Sequence, residues 1–383
     1  MSVTAAAGFR AAGVAAGLKA SGTPDIALVV NDGPLQAAAG VFTSNRVQAA
    51  PVVWSRQVLA GRRVQAVVLN SGGANACTGP DGFADTHATA EAVAGALGTG
   101  AARVAVCSTG LIGERLPMDR LLPGVQQAAD RLSADGGPAA AEAIRTTDTV
   151  AKTAVREGAG WTVGGMAKGA AMLAPALATM LAVVTTDADA EPDVLDRVLR
   201  AATRASFDRV DTDGCMSTND TVLLLASGAS GVRADEAELQ AAVTAVCADL
   251  ARQMVADAEG ASKDIAVEVV GAAGEDDALE VARAVGRSNL LKCALHGEDP
   301  NWGRALAAVG TTRAAFEPDR LDVAINGVQV CRGSAPGEPR EQVDLSGREV
   351  RLQIDLHAGN AAATVWTSDL TAAYVHENSA YST

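Results

Sequence analysis

The chain has 383 residues, of which 48% are hydrophobic and 20% are charged, a composition typical of soluble globular proteins. Its length is sufficient for a large core and for two domains. The 31 lysines and arginines against 45 aspartates and glutamates give a net charge of −14, which argues against nucleic acid or an anionic membrane as a partner. Aromatic residues make up only 3%, so we expect a core of alanine, valine and leucine.

The cysteines, histidines and apolar runs exclude several classes of site. The six cysteines form no C-x-x-C pair and stand at no metal-ligand spacing from a histidine, so we expect free thiols in the reducing cytoplasm. The longest apolar run, residues 169–184, contains Pro175 and is shorter than the ~20 residues that a membrane-spanning helix needs. Residues 1–20 lack a compact apolar segment behind a charged lead, and we expect them to belong to the mature fold. The sequence offers no evidence for a metal or another cofactor.

The first half of the chain is predicted to alternate strands and helices. Turn residues at 31–34 separate the first two strands, and a glycine-rich loop at 70–79 follows the third. Such a loop could present backbone N–H groups to an anion, and it is equally a common way for a chain to turn. The predicted strands are residues 26–30, 38–43, 64–70 and 104–107 with a hairpin at 155–163, and the predicted helices are residues 85–97, one beginning near Pro117, and residues 138–145.

Two short polar segments of this half are candidate binding elements. Thr109 and Gly110 follow the strand at 104–107, where a hydroxyl and a backbone N–H could point at one place, as an oxyanion hole requires. The alternative is a tight loop before the next helix. Residues 146–149, Thr-Thr-Asp-Thr, could bind a carboxylate or an ammonium group, with a helix cap or a turn as the simpler interpretation.

The stretch from Lys168 to Asp187 organises the chain. A lysine and a Gly-Ala turn lead into an apolar segment that Pro175 interrupts, and the hydroxyl of Thr179 follows Ala178. Residues 180–185 then predict a buried strand. Threonine is an effective nucleophile only when a base lies beside it, and cleavage before Thr179 would supply its own α-amine as that base. The alternative is that Thr179 is simply a β-branched residue opening a strand.

The second half continues the alternation and is predicted to end in a smaller lobe. The polar loop at 211–220 lacks the spacing and the closing glutamate of a calcium-binding EF-hand loop. Glu259, beside a glycine at a helix-to-strand junction, could bind a substrate ammonium group or be ordinary surface charge. Strands and turns dominate from Arg313 onward, and residues 374–383 lack apolar periodicity, which by pattern alone indicates a frayed tail. The predicted helices are residues 191–207, 235–257, 277–285 and one beginning near Pro300, and the predicted strands are residues 221–227, 265–270, 321–325, 350–356 and 361–366.

Motifs in the same order over nearly the whole chain closely resemble the ornithine acetyltransferase family, the glutamate N-acetyltransferases of arginine biosynthesis. Around the nucleophile candidate they read Lys168-Gly169, then Ala178-Thr179-Met180-Leu181, then Thr185-Thr186-Asp187. The other matching motifs are residues 8–9, 16–19, 41–43, 70–79, 108–110, 146–149, 217–221, 257–260, 297–304 and 378–383.

The resemblance implies an α/β enzyme of the ornithine acetyltransferase type, with layered helices and sheets and a smaller C-terminal lobe at about 313–383. It implies self-cleavage between Ala178 and Thr179, and assembly of two copies of each fragment, 1–178 and 179–383. The roles that it implies are a nucleophile at Thr179, an oxyanion hole at Thr109 and Gly110, and substrate binding by Thr146, Lys168, Thr179, Glu259, Asn378 and Thr383.

The implied chemistry is a two-step acyl transfer. Thr179 Oγ attacks the acetyl carbonyl of N2-acetylornithine while its own amine takes the proton, and ornithine leaves. Glutamate then attacks the acetyl-threonine and departs as N-acetylglutamate, which would give ping-pong kinetics. A few positions depart from the commoner family wording and leave open the substrate range and whether acetyl-CoA is also a donor. These positions are Gly73, Ala170-Ala171, Ala176 and Cys215-Met216.

Two alternatives make different predictions. A related self-cleaving amidase or peptidase would pass the acetyl group to water, so that acetate forms in place of N-acetylglutamate. A non-enzymatic ligand-binding protein would hold an anion in the glycine-rich loops, with Thr179 in a structural role, and its chain would remain uncut.

Overall fold

The structure, a computed structural model, describes residues 2–173 and 180–380. It contains three sheets with helices packed against them, which confirms the α/β class. The chain divides into two compact units. Within the described ranges, no helix has both the length and the apolar character needed to cross a membrane.

The first unit is formed by the chain up to Asp208 together with Cys215–Met254. Its strands are β1 (Phe9–Val14), β2 (Ile26–Asn31), β3 (Ala37–Phe42), β4 (Ala66–Asn70), β5 (Val104–Ser108), β6 (Lys152–Glu157), β7 (Thr162–Lys168), β8 (Leu181–Thr186) and β9 (Thr221–Ala226). Its helices are α1 (Ala50–Ala60), α2 (Gly79–Leu97), α3 (Met118–Asp130), α4 (Gly137–Ala143), α5 (Pro192–Ala205) and α6 (Glu236–Ala256).

The strands of the first unit pair into two sheets. One has the order β1-β2-β4-β5, and the other has the order β3-β9-β8-β7-β6. Strand β8, which begins two residues after Thr179, lies in the middle of the second sheet. Its first residue, Leu181, is paired with Lys168 of β7 on one side and with Thr221 of β9 on the other. The sequence stretch that contains the nucleophile candidate therefore leads into the centre of a sheet.

Helices and sheets of the first unit alternate in layers because both faces of the five-stranded sheet are apolar. Val183 points into a core that it shares with Val29 and Leu69 of the four-stranded sheet. The opposite face is covered by α6, since a Cβ on Gly165 of β7 would lie 2.8 Å from Val246. Helices α2 and α3 pack on the outer face of the four-stranded sheet. These contacts agree with the predicted layered arrangement.

The second unit is formed by Arg209–Gly214 together with the described residues from Val255 to Ala380. Its strands are β10 (Asp264–Ala272), β11 (Asp322–Ile325), β12 (Val328–Arg332), β13 (Ala335–Pro336), β14 (Glu349–Asp355) and β15 (Ala361–Ser368). Its helices are α7 (Glu275–Gly286), α8 (Asn289–His296), α9 (Trp302–Val309) and α10 (Ala372–Ala380). The sheet order is β13-β12-β11-β14-β10-β15, and α7, α8 and α9 contribute to one core with it. Because β10 pairs with both β14 and β15, the unit begins well before Arg313.

Most of the predicted elements are present, but β1, α1, α8, β12, β13 and α10 were not predicted. Strand β1 is rich in glycine and alanine because α4 crosses it closely, and a Cβ on Gly13 would lie 1.9 Å from the Ala139 carbonyl oxygen. Helix α10 occupies part of the segment whose pattern indicates a frayed tail. Its first turn is capped by Thr371 Oγ1, which accepts a hydrogen bond from the Tyr374 N–H at 2.9 Å.

Candidate active site

Thr109 and Gly110 lie directly after β5, against the glycine-rich loop that follows β4. The Thr109 N–H donates to the Asn70 carbonyl oxygen at 3.0 Å, and Thr109 forms a β-bridge with Gly73. Gly110 has a φ of +132°, and a Cβ there would lie 2.8 Å from the Gly73 backbone. Only glycine fits this conformation and this close approach. The two predicted oxyanion-hole residues therefore occupy a tightly constrained loop.

Lys168, the last residue of β7, brings a buried cation to the same place. Its side chain is 3% exposed, and its Nζ donates a hydrogen bond to Thr109 Oγ1 at 3.3 Å. An ammonium group has only donors, so Thr109 Oγ1 must be the acceptor of this bond. The hydroxyl proton of Thr109 is therefore left for another acceptor. Lys168 and Thr109, which are far apart in the sequence, thus form one group of hydrogen-bond donors.

Asp148 connects the segment at 146–149 to the end of β7. Its carboxylate accepts hydrogen bonds from Lys152 Nζ and from the Gly169 N–H, both at 2.7 Å. The Thr146 N–H donates to the same carboxylate at 3.1 Å. Burial alone would raise the pKa of Asp148, but the charges of Lys168 and Lys152 and these hydrogen bonds lower it to about 2. Asp148 is thus ionised and holds Thr146 next to the turn that follows Lys168.

The polar loop before β9 holds two neighbouring segments. Asn219 Nδ2 donates to the Ala74 carbonyl oxygen at 2.6 Å and to the Ser108 carbonyl oxygen at 2.8 Å. It therefore links the glycine-rich loop to the end of β5, directly before Thr109. Asp220 Oδ1 accepts a hydrogen bond from the Met180 N–H at 3.0 Å, at the start of the segment that becomes β8.

Glu259 and Asn378 are brought together in the second unit. Asn378 lies on α10, and its Nδ2 donates to Glu259 Oε2 at 2.9 Å and to the Tyr374 carbonyl oxygen at 3.0 Å. Both side chains are at least partly exposed, and so are open to a ligand. The other predicted site residues, Ala178, Thr179 and Thr383, lie outside the described residues.

Three polar residues near these sites were given no role of their own by the sequence, although Asp148 lies in the candidate segment 146–149 and Asn219 and Asp220 lie in the motif 217–221. A signal for each of them exists. Asp148 stands four residues before Lys152, both are fully buried, and they form an ion pair. Asn219 and Asp220 directly precede β9, all of whose residues are buried. A charged or amide side chain directly before a fully buried strand needs a hydrogen-bond partner inside the protein. Its position next to such a strand is therefore the sequence signal that it has a structural or functional role.

The arrangement in the first unit is suited to stabilising negative charge on a substrate oxygen. It combines a buried lysine, a threonine hydroxyl whose proton is available, and a constrained glycine next to it. Such preorganised donors are the requirement for acyl transfer through a tetrahedral intermediate. No group of three or more histidine, cysteine or acidic side chains that could hold a metal ion occurs in the part of the chain that the structure describes.

Comparison with known proteins gives full-length matches. The model of the ArgJ family matches residues 10–383. The arginine biosynthesis bifunctional protein ArgJ of Streptomyces coelicolor is 70% identical over 382 residues, covering 100% of both chains. The protein of the same name from Thermobifida fusca is 64% identical over 383 residues, again covering 100% of both. A crystal structure of an ornithine acetyltransferase from Mycobacterium tuberculosis in complex with ornithine is 62% identical, with a TM-score of 0.45, over 47% of this chain and 96% of that chain.

Proposed function

The chain belongs to the ArgJ family, and we propose that it transfers an acetyl group from N2-acetylornithine to glutamate, yielding ornithine and N-acetylglutamate. It is an acyltransferase of arginine biosynthesis. The observation that carries this conclusion is 70% identity to a relative of that name over the full length of both chains. The contact between Lys168 and Thr109 supports acyl transfer as the type of reaction.

We assign the nucleophile to Thr179. Cleavage of the Ala178–Thr179 peptide bond by the chain itself frees the α-amine of Thr179, which has an ordinary pKa of about 8. At pH 7 roughly a tenth of such an amine is neutral and able to accept the hydroxyl proton. The products of cleavage are the fragments 1–178 and 179–383, which we propose assemble as two copies of each. The cysteine pattern favours the cytoplasm as the location.

In the first step, Thr179 Oγ attacks the acetyl carbonyl of N2-acetylornithine and its proton passes to the amine. The negative charge that develops on the carbonyl oxygen is stabilised by the Gly110 N–H and the Thr109 hydroxyl. Lys168 orients that hydroxyl, because the bond from Nζ to Oγ1 directs the hydroxyl proton away from the lysine. The C–N bond breaks, the amine returns its proton to the leaving nitrogen, and ornithine departs.

In the second step, the amino group of glutamate attacks the acetyl-Thr179 ester and loses a proton to the same α-amine. The C–O bond breaks, the amine returns its proton to Thr179 Oγ, and N-acetylglutamate leaves. We propose that Thr146, Lys168, Glu259, Asn378 and Thr383 bind the charged groups of the substrates. The curated relatives are named bifunctional, and a second acetyl donor to Thr179, for which we propose acetyl-CoA, would give this chain a second activity.

Intact mass under denaturing conditions tests the proposal directly. The purified wild-type chain should give two species, of which one begins Thr-Met-Leu-Ala. Thr179→Ala should give one uncut, inactive chain, because it lacks the attacking hydroxyl. Thr179→Ser, which keeps a hydroxyl, is the matched control and should still be cleaved. Two fragments from Thr179→Ala would rule out self-cleavage by this residue.

Labelled acetyl groups separate the proposed reaction from its alternatives. Incubation of the wild-type protein with acetyl-labelled N2-acetylornithine and glutamate should transfer the label to N-acetylglutamate. Label recovered as free acetate would indicate an amidase. An uncut chain that binds but does not react would indicate a ligand-binding protein.

A further inference from the structure

We propose that Lys19 is a further substrate-binding residue, which binds the α-carboxylate that N2-acetylornithine and glutamate have in common. The inference rests on the proposed function, because it takes these two compounds as the substrates. Residues 16–19 form one of the family motifs, and none of the roles assigned above falls on them. The contacts of this segment suggest what its lysine does.

The segment 16–19 is held in place by the carboxylate of Asp25, which is fully buried. Asp25 Oδ1 accepts the Ala16 N–H at 2.7 Å, and its Oδ2 accepts the N–H groups of Leu18 at 2.6 Å and of Lys19 at 3.2 Å. Hydrogen bonds to an ionised acceptor are among the strong ones in proteins. The backbone of Lys19 is therefore fixed, and its side chain is directed from a rigid base.

The same segment packs against the glycine-rich loop that supports the candidate oxyanion hole. A Cβ on Gly72 would lie 2.3 Å from Leu18 Cβ, so a side chain at Gly72 would force the two segments apart. The next residue of the loop, Gly73, forms the β-bridge with Thr109. One residue of close packing and one bridge thus connect the lysine-bearing segment to Thr109.

The side chain of Lys19 reaches the segment that contains Thr146. Lys19 Nζ donates to the Arg145 carbonyl oxygen at 2.9 Å, across 126 positions of sequence. The Thr146 nitrogen is two bonds from that oxygen, so covalent geometry places it within about 6 Å of Nζ. Asp148 in turn accepts the Thr146 N–H at 3.1 Å. Lys19 therefore lies beside a residue to which substrate binding is already assigned.

The Lys19 ammonium group retains donors for a ligand. It has three N–H groups, and within the described part of the chain the Arg145 carbonyl oxygen is the one acceptor of its Nζ. Lys19 is partly exposed, so a small molecule can reach it. Burial lowers the pKa of Lys19, and the charges of Asp25 and Asp148 oppose this shift while those of Arg145 and Lys168 add to it. A bound carboxylate would favour the charged form of Lys19 further.

The charges of the substrates require a second cation. N2-acetylornithine carries one carboxylate and glutamate carries two, whereas Lys168 is the only cation among the residues to which substrate binding is assigned above. The guanidinium group of Arg145 is already engaged, because its Nη1 donates to Glu142 at 2.5 Å and its Nε and Nη2 donate to backbone carbonyl oxygens. Lys19 therefore supplies the second cation.

The α-carboxylate is the group that a fixed cation serves best. In both substrates it is attached to the carbon that carries the reacting nitrogen, so it has the same relation to the acetyl group in both steps. The side chains differ in sign, since ornithine ends in an ammonium group and glutamate in a carboxylate. A cation at the side-chain position would repel the first and attract the second, whereas a cation at the α-carboxylate attracts both.

Carboxamide analogues test the assignment, because a carboxamide keeps the shape of the group and removes its charge. The wild-type chain should use N2-acetylornithine with a kcat/KM about 30-fold above that of its α-carboxamide, and glutamate about 30-fold above isoglutamine, the α-carboxamide of glutamate. Lys19→Gln keeps a donor for the Arg145 carbonyl oxygen but has no charge. It should self-cleave, as followed by intact mass, and should use each acid and its α-carboxamide within about threefold of each other.

Two further variants serve as controls. Lys19→Arg keeps the charge and should recover part of the preference for the acids. Arg120 is an exposed cation that touches the same segment, since its Nη1 donates to the Gly17 carbonyl oxygen at 2.9 Å. Arg120→Gln removes this bond as Lys19→Gln removes a charge, and it should leave kcat/KM for both acids within about twofold of wild type.

The remaining outcomes also decide the question. Equal use of acid and α-carboxamide by the wild-type chain would overturn the assignment even if Lys19→Gln does not fold. Wild-type preference for the acids in Lys19→Gln would show that the lysine is only structural. If Lys19→Gln instead loses the preference for glutamate over glutamine, the γ-carboxamide, the lysine binds the other carboxylate and the assignment is wrong. A wild-type chain that transfers no acetyl group would overturn the proposed function itself, whereas transfer without this preference would overturn only the role of Lys19.

Discussion

Each unit of the molecule contains a buried aspartate that gathers polar groups, Asp148 in the first unit and Asp369 in the second. Asp369 accepts hydrogen bonds from the Ser262 N–H at 2.9 Å, the Lys263 N–H at 3.0 Å and Ser262 Oγ at 2.5 Å. It also contacts His296 Nδ1 at 2.9 Å, so the cluster has the residue types of a serine hydrolase triad.

The geometry of this second cluster is that of a structural site. Ser262 Oγ lies 3.1 Å from His296 Nδ1, the same ring nitrogen that contacts Asp369. In a catalytic triad the aspartate binds one imidazole nitrogen and the serine binds the other, so that the ring can carry a proton between them. Here His296 Nδ1 makes both contacts, so the ring cannot carry a proton between Ser262 and Asp369 in the manner of a triad.

The cluster around Asp148 differs because it leaves a hydrogen-bond donor, the hydroxyl proton of Thr109, available to a ligand. Asp148 holds Lys152, Gly169 and Thr146, and the neighbouring Lys168 occupies an acceptor position on Thr109 but leaves the hydroxyl proton of Thr109 available. Residue types alone would favour the Ser-His-Asp cluster. The positions of donors and acceptors favour the cluster that contains Thr109 and Lys168. Substitutions in both clusters test this comparison.

The largest effect is expected from Asp148→Ala. The substitution removes the carboxylate that Lys152 contacts at 2.7 Å, and the lysine is 0% exposed. Loss of one partner of a buried ion pair costs about 3–5 kcal/mol of unfolding free energy. Denaturant unfolding should be measured in the Thr179→Ala background, where a single uncut chain is expected. Asp369→Ala in the same background is the comparison, and an equal or larger cost there would contradict the distinction between the clusters.

Acid titration sharpens the same prediction. The pKa of Asp148 is lowered from 3.8 to about 2, so the unfolded chain binds its proton more readily than the folded one. The corresponding stability is fully present above pH 3.8 and is lost as the pH falls toward about 2. The difference in unfolding free energy between the parent and Asp148→Ala should therefore shrink in that range.

A smaller effect, on rate rather than folding, is expected from Lys168→Met. Methionine fills a similar volume but cannot donate to Thr109 Oγ1, so the hydroxyl is no longer oriented. Loss of one contribution to an oxyanion hole costs about 100-fold in kcat, or ~2.7 kcal/mol. Self-cleavage and acetyl transfer should be measured together, with Lys168→Arg as a control that keeps the charge. Full activity of Lys168→Met would remove the lysine from the mechanism.

The smallest effect is expected from Ser262→Ala. It removes one side-chain hydrogen bond to Asp369, which keeps its two backbone donors and His296. A single bond of this kind contributes about 1 kcal/mol to stability. Acetyl transfer by the variant should stay within about twofold of wild type, as measured by kcat/KM. A loss of activity comparable to that of Lys168→Met would make the second cluster a participant in catalysis.

Much of the fold could be predicted because local patterns are strong where burial is complete. Strand β8 is buried at every position, and a short apolar run rich in valine and threonine predicts such a strand without knowledge of its neighbours. Strand β1 and helix α10 could not be predicted in this way. The packing of Gly13 against Ala139 and the cap at Thr371 are tertiary or single-residue effects with no periodic pattern.

By itself, the sequence determined the family, the order of the elements around Thr179, and the candidate residues Thr109, Gly110, Thr146 and Lys168, because each of these rests on short motifs of neighbouring residues. Only the tertiary structure decided which side chains act together. Lys168 reaches Thr109 across 59 positions, and Met180 reaches Asp220 across 40. The physical reason is that a buried charge or donor must find its partner wherever the packed layers bring one within about 3 Å, and sequence spacing does not encode that distance.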